Sequence, residues 1–113
     1  MLTNSLRSAA MAAIIATLSP FSLASLQTQT IAEGLDTPWS IAELPDDQGF
    51  LITERPGGLK HLSVTGEMTD VAGVPSVYAE RQGGLFDVVL HPNFLDNQTI
   101  FLAYAASPEE TKP

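Results

Sequence analysis

Residues 38–70, "PWSIAELPDDQGFLITERPGGLKHLSVTGEMTD", decide the fold of this chain. Within this stretch, short β-prone runs alternate with turn clusters that are rich in glycine, proline and aspartate. Strands are predicted to begin near Trp39, Phe50, Leu59 and Met68. Runs this short, bounded by residues that favour turns, are typical of antiparallel strands joined by hairpins. The stretch therefore predicts a four-stranded meander.

The pattern continues toward the carboxyl terminus. The runs "LFDVVL" at 85–90 and "TIFLAYA" at 99–105 predict two more strands, with the loop "HPNFLDN" between them. No run after residue 24 has helical periodicity over a helix-like length, so the predicted fold class is all-β. Four such strands match one blade of a β-propeller, and the last two would open the next blade. A blade cannot bury both of its faces alone, so the pattern predicts the first part of a larger protein.

The first 24 residues have the composition of a secretory signal. Arg7 is their only charged residue, and it precedes the apolar run at 9–18 and the small residues of "FSLAS". Ser22 and Ala24 suit the positions before a cleavage site, so residues 1–24 are interpreted as a signal peptide and residues 25–113 as the mature chain. The apolar run is shorter than the ~20 residues of a membrane span. We expect a periplasmic or secreted protein with no membrane span after cleavage.

Composition excludes several classes of function. The chain has 113 residues, a formal net charge of −8 and no cysteine. An acidic surface disfavours nucleic acid and anionic lipid as partners, because both are met by basic surfaces. The absence of cysteine excludes disulfides, thiolate zinc sites and a cysteine nucleophile from this chain.

An ordered set of short motifs adds a family resemblance. The motifs PW, LPD, ITER, GG, QGGL and HPNF follow one another through residues 31–104. In this order they resemble the opening of the soluble quinoprotein glucose/sorbosone dehydrogenase family, and most of all its periplasmic aldose sugar dehydrogenases. The resemblance implies a six-bladed β-propeller that holds pyrroloquinoline quinone (PQQ) and calcium in a cleft. It also implies oxidation of the anomeric carbon of aldoses to lactones, with electrons leaving to an external acceptor.

The same resemblance limits what this chain can contribute. The catalytic histidine of the family lies between an amide or acidic residue and a glycine-rich turn followed by arginine, and no stretch here matches that motif. The cationic segments that bind the quinone and the segments that bind calcium are not matched either. No catalytic or metal-binding residue is therefore assigned in this chain, and the fragment alone is expected to be inactive.

Gln82 is the one candidate for cofactor binding. The resemblance implies that the glutamine of the QGGL motif reaches the cleft beside the quinone. A carboxamide offers a donor and an acceptor, which suits the carbonyls or carboxylates of the quinone. Gly83 and Gly84 would let the backbone come close to a flat ligand. The alternative is a loop glutamine that binds water, with the two glycines in a hairpin turn.

The two histidines are interpreted as structural. His91 stands at a strand end before Pro92, which biases it toward extended geometry, and no carboxylate is placed to orient it as a base. In the family this histidine–proline pair belongs to a structural loop. His61 is predicted to be a polar residue within a strand.

Other conspicuous residues are also expected to serve the fold. Glu54 and Arg55 could form an ion pair at a strand end. Asp46 and Asp47 precede a glycine in a predicted turn, and two adjacent carboxylates make a poor calcium site. Trp39 is predicted to pack in the core.

Two alternatives to a dehydrogenase are also open. The same propeller could be a non-catalytic extracellular binding module, because fold does not fix function. The chain could also be a truncated, non-functional remnant. The genomic sequence beyond the codon for Pro113 distinguishes the three: a continuation with the histidine motif and the cationic quinone-binding residues supports the enzyme, a continuation without them supports the binding module, and a stop codon supports the remnant.

Overall fold

The strands lie where the turn residues of the sequence place them. A computed structural model describes residues 25–107, which form six strands and one turn of helix. The elements are β1 (Pro38–Leu44), β2 (Gly49–Glu54), β3 (Gly58–Leu62), β4 (Met68–Asp70), β5 (Leu85–Leu90), α1 (Phe94–Asn97) and β6 (Ile100–Tyr104). The all-β fold class is confirmed, and α1 is a departure from the expected plain loop between β5 and β6. The predicted signal peptide lies outside the described residues.

The first four strands form one antiparallel sheet in the order β1-β2-β3-β4. Ile41 pairs with Ile52 between the first two strands, and Lys60 pairs with Asp70 between the last two. The β1–β2 turn is tight, with positive φ angles of 95° at Gly49 and of 57° and 54° at Asp46 and Asp47. Each strand thus pairs with the next one along the chain, which is the meander predicted for one propeller blade.

The second sheet consists of β5 and β6, and it packs against one face of the first sheet. β5 contacts both β1 and β2. The core between the sheets contains Leu44, Leu51, Leu59 and Val88. Apolar side chains of β5, β6 and the loop between them surround this core, because alternate residues of a strand face the same side.

A polar network at Thr53 joins the two sheets. Thr53 is fully buried, and its Oγ1 donates a hydrogen bond to the carbonyl oxygen of Phe86 at 2.5 Å. The same atom accepts a hydrogen bond from the Ser40 backbone N–H at 3.0 Å. The Ser40 hydroxyl donates to the Asp87 carboxylate at 2.6 Å. Because buried polar groups require partners, these bonds determine how β5 lies across β1 and β2.

Apolar side chains are exposed on both outer faces of this two-sheet unit. Trp39 and Ile41 on β1 are 59% and 54% exposed, and Val89 and Phe101 on the second sheet are 52% and 56% exposed. The expectation that Trp39 packs in the core is therefore wrong for this chain. Its ring contacts Phe86 at a centroid distance of 5.0 Å, but β1 is an edge strand and most of the ring stays exposed. Apolar faces of this kind mark surfaces that other parts of a protein cover.

Candidate functional site

Gln82 lies at the tip of a tight turn that leads into β5. The Gly83 N–H donates a hydrogen bond to the carbonyl oxygen of Glu80 at 2.8 Å, which closes the turn. Arg81 adopts the left-handed region, with φ of 57°. Gln82 is exposed, and within residues 25–107 its carboxamide makes no hydrogen bond to the protein. The donor and acceptor of this side chain are therefore both available to a ligand.

Arg55 holds this turn from the end of β2. Its Nε donates to the carbonyl oxygen of Gly83 at 3.0 Å, and its Nη2 donates to the carbonyl oxygen of Arg81. The suggested ion pair between Glu54 and Arg55 is wrong, because the guanidinium bonds to backbone carbonyls instead. Gln82 is the residue between the two carbonyls that Arg55 binds.

The carboxylate of Glu54 has different partners. Glu54 is 7% exposed and accepts a hydrogen bond from the Asp36 backbone N–H at 2.6 Å. Its other oxygen lies 3.7 Å from the Lys60 ammonium, which also binds Asp70. The hydrogen bond from Lys60 to Asp70 raises the pKa of Lys60, and the charges of both carboxylates add to this effect against partial desolvation. This ion-paired group ties β2, β3 and β4 together.

Gly83 and Gly84 are close to protein backbone. A Cβ at Gly83 would lie 2.1 Å from the carbonyl oxygen of Tyr78. A Cβ at Gly84, where φ is 152°, would lie 2.6 Å from the carbonyl oxygen of Arg55. Since these distances exclude any side chain, the glycines allow the turn to sit against residues 55 and 78.

His91 lies at the opposite end of β5 from Gln82. The six residues of this strand separate the two ends by about 17 Å, since each residue of a strand advances about 3.3 Å. Nδ1 of His91 accepts hydrogen bonds from the Asn93 backbone N–H at 2.9 Å and from the Asn97 side chain at 3.0 Å. The ring also stacks on Phe101, with centroids 6.0 Å apart. These contacts hold His91 within the loop between β5 and β6. His91 is therefore a structural residue of this loop and lies far from Gln82.

The other polar residues singled out from the sequence do not lie at the Gln82 turn. His61 lies in β3, and its Nε2 is 2.6 Å from the carbonyl oxygen of Gln48. Asp46 and Asp47 form the β1–β2 turn through their left-handed backbone. Within residues 25–107, no three His, Cys, Asp or Glu side chains are grouped as metal ligands. No helix in this range is long and apolar enough to cross a lipid bilayer.

Residues 35–112 match the family model described as Glucose / Sorbosone dehydrogenase. This chain belongs to that family. Over 90 residues it is 41% identical to the aldose sugar dehydrogenase YliI of Escherichia coli, an alignment that covers 79% of this chain and 24% of that protein. The matched region includes both the ITER motif, which contains Arg55, and the QGGL motif, which contains Gln82. The resemblance to this family is therefore confirmed.

Solved structures give the same result. The apo form of the soluble aldose sugar dehydrogenase from Escherichia coli superposes with a TM-score of 0.68 at 41% identity, over 74% of this chain and 24% of that one. The PQQ-bound aldose sugar dehydrogenase from Streptomyces coelicolor superposes with a TM-score of 0.64 at 27% identity, over 70% and 24%. This chain therefore spans about a quarter of the length of these relatives.

Proposed function

We propose that this chain is the N-terminal part of a PQQ-dependent aldose sugar dehydrogenase. Such an enzyme takes two electrons and two protons from the anomeric C–H and O–H of an aldose, which leaves a lactone. When bound, PQQ supplies the two-electron acceptor, and an external acceptor reoxidises it. The family match and the PQQ-bound relative support this proposal. The observation that carries it is the Gln82 carboxamide, which is exposed and has no protein partner within residues 25–107.

Gln82 fits a role as a cofactor ligand rather than as a catalyst. Its amide N–H can donate to a quinone carbonyl or carboxylate, and its oxygen can accept a hydrogen bond from the sugar or from water. It has no titratable group, so it cannot take the proton of the anomeric hydroxyl. The general base and the calcium ligands are proposed to lie elsewhere in the full-length protein, because no stretch of this sequence matches the histidine motif of the family and no metal-ligand cluster occurs within residues 25–107.

The complete fold is proposed to be a six-bladed β-propeller in which this chain contributes one blade and the start of the next. The four-stranded sheet has the strand order of a blade, and β5 packs on β1 and β2. The apolar outer faces at Trp39 and Phe101 are suited to neighbouring blades. Each blade of such a propeller requires neighbours for its stability.

Export of the protein gives a direct test of residues 1–24. We expect the mature protein to begin at Ser25 and to be found in the periplasm or medium, because charged, apolar and small-residue regions follow one another as in a signal peptide. N-terminal sequencing of the exported product measures this. An Ala24→Phe variant, with a bulky residue before the cleavage site, should keep the segment. A product that retains Met1, or one found only in the cytosol, contradicts the proposal.

The role of Gln82 is tested by Gln82→Ala in the full-length protein. We expect PQQ to bind about tenfold more weakly, the loss of roughly one hydrogen bond, while the melting temperature stays unchanged. Calorimetric titration of the apo protein with PQQ measures the affinity, and reduction of an artificial acceptor measures sugar oxidation.

His91→Ala is the matched control, since His91 lies at the other end of β5 and bonds to its own loop. It should lower the melting temperature and leave the affinity for PQQ unchanged. A folded His91→Ala protein that loses activity while Gln82→Ala is silent contradicts the assignment. A full-length protein that binds no PQQ favours the non-catalytic binding module.

A further inference from the structure

We propose that Arg55 is a positioning residue that holds the Gln82 turn in the geometry required for binding the cofactor. This inference rests on the proposed role of Gln82. The guanidinium of Arg55 bonds the carbonyl oxygens of Arg81 and Gly83, the residues immediately before and after Gln82. A single rigid group thus fixes the backbone on both sides of the ligand-binding side chain.

The backbone of Arg55 is itself anchored on two sides. Its N–H donates to the carbonyl oxygen of Thr37 at 3.0 Å, next to the start of β1. Its carbonyl oxygen accepts a hydrogen bond from the Leu85 N–H at 2.9 Å, at the first residue of β5. Arg55 therefore connects the start of β1, the end of β2 and the start of β5 to the turn. Because the Arg55 side chain bonds to the turn, Gln82 is held in a fixed position relative to the sheets.

The chemistry of this contact suits arginine specifically. The guanidinium is planar and presents several N–H groups in a fixed fork, so Nε and an Nη can bind two carbonyls at once. A lysine ammonium is a point charge on a flexible stem and lacks this fork. Within residues 25–107 no carboxylate forms an ion pair with Arg55, so backbone carbonyls are the groups that meet its charge.

A turn that is already ordered should bind the cofactor more tightly, because an ordered site loses less conformational entropy when a ligand binds. The turn contains Arg81 in the left-handed region, a conformation that a free loop adopts rarely. Without the two bonds from Arg55, Gln82 would sample many positions in the unbound protein. Loss of the two Arg55 hydrogen bonds should therefore weaken PQQ binding because Gln82 is no longer held in place, and not because Arg55 itself contacts the cofactor.

The test is a double-mutant cycle in the full-length protein, with PQQ binding to the apo protein as the readout. We expect Arg55→Met and Gln82→Ala each to weaken PQQ binding about tenfold, and the double variant to bind about as weakly as either one, because residues that act as a unit are not additive. Arg55→Lys should behave like Arg55→Met, since charge without the fork does not restore the clamp. Hydrogen exchange should become faster at the amides of residues 82–85 in both Arg55 variants.

Lys60→Met is the matched control. It removes one positive charge from the same sheet, where Lys60 binds Glu54 and Asp70 and makes no contact with the turn. It should leave both PQQ affinity and exchange at residues 82–85 unchanged. Arg55→Lys retains the stem and the charge, so it serves as the second variant if Arg55→Met does not fold.

The possible failures are distinguishable. A double variant that binds about a hundredfold more weakly, as independent sites would, overturns the positioning role. Full recovery by Arg55→Lys also overturns it, because Arg55 would then act as a charge. A silent Arg55→Met with an effective Gln82→Ala removes only this inference, whereas a silent Gln82→Ala removes the proposed role of Gln82 and this inference with it.

Discussion

The 113-residue chain alone, supplied with PQQ, calcium and glucose, is expected to show no turnover above a control without protein. Hydride transfer requires a base held against the anomeric hydroxyl and a cofactor held in a fixed pose beside the sugar. The chain spans about a quarter of the length of its relatives. His91, the histidine of the HPNF motif, lies at the opposite end of β5 from Gln82. Reduction of an artificial electron acceptor measures turnover.

Full-length aldose sugar dehydrogenase from Escherichia coli, assayed under the same conditions, is the positive control. Circular dichroism and size-exclusion chromatography show whether the isolated chain is folded and monomeric. We expect association, because apolar side chains such as Trp39 and Phe101 are exposed on both outer faces. Trp39 is the only tryptophan, so its fluorescence should shift to shorter wavelength as the faces become covered. Sugar-dependent turnover by a discrete monomer contradicts this prediction.

Gly49→Ala is expected to cause the largest loss of stability of any glycine-to-alanine change in the first sheet. A Cβ at Gly49 would lie 2.0 Å from the carbonyl oxygen of Leu62, and this oxygen belongs to backbone that is held in β3. The φ of 95° is also unfavourable for any residue with a side chain. Strain and overpacking together should lower the free energy of unfolding by about 2–5 kcal/mol. Urea unfolding of the full-length protein measures the change.

Gly66→Ala separates the two causes. Gly66 has a similar φ of 89°, but no atom lies within 4 Å of the position that its Cβ would take. Its substitution should therefore cost only the backbone strain, about 1–2 kcal/mol. Equal losses for the two variants would show that β3 moves to accept the methyl group at position 49, against this prediction.

Much of the fold could be predicted because strand boundaries depend on neighbouring residues. Asp46, Asp47 and Gly49 form the first turn with positive φ angles, and such residues adopt this geometry readily. The β-prone runs between turns then pair with the next run along the chain, which requires little loop entropy. The short helix at 94–97 was not anticipated, because four residues are too few to show a helical period.

The candidate site was predicted less completely. Gln82 is proposed as a cofactor ligand from its motif alone, whereas the only partner suggested for Arg55 was the adjacent Glu54, and the guanidinium bonds to the carbonyls of residues 81 and 83 instead. The bonds from Arg55 cross 26 and 28 positions of sequence. No local pattern reports a contact between a guanidinium and two distant carbonyls. The one available sign was an arginine at the end of a buried strand, where a long side chain can reach a neighbouring loop.

By itself, the sequence of this protein determined the strand order, the turns, the acidic surface and the family. These properties follow from residues that are close together along the chain or from composition. Tertiary structure alone decided that Thr53 joins the two sheets, that Trp39 stays exposed and that Arg55 holds the turn of Gln82. The physical reason is that burial and hydrogen bonding of these side chains depend on partners that only folding brings within 3 or 4 Å.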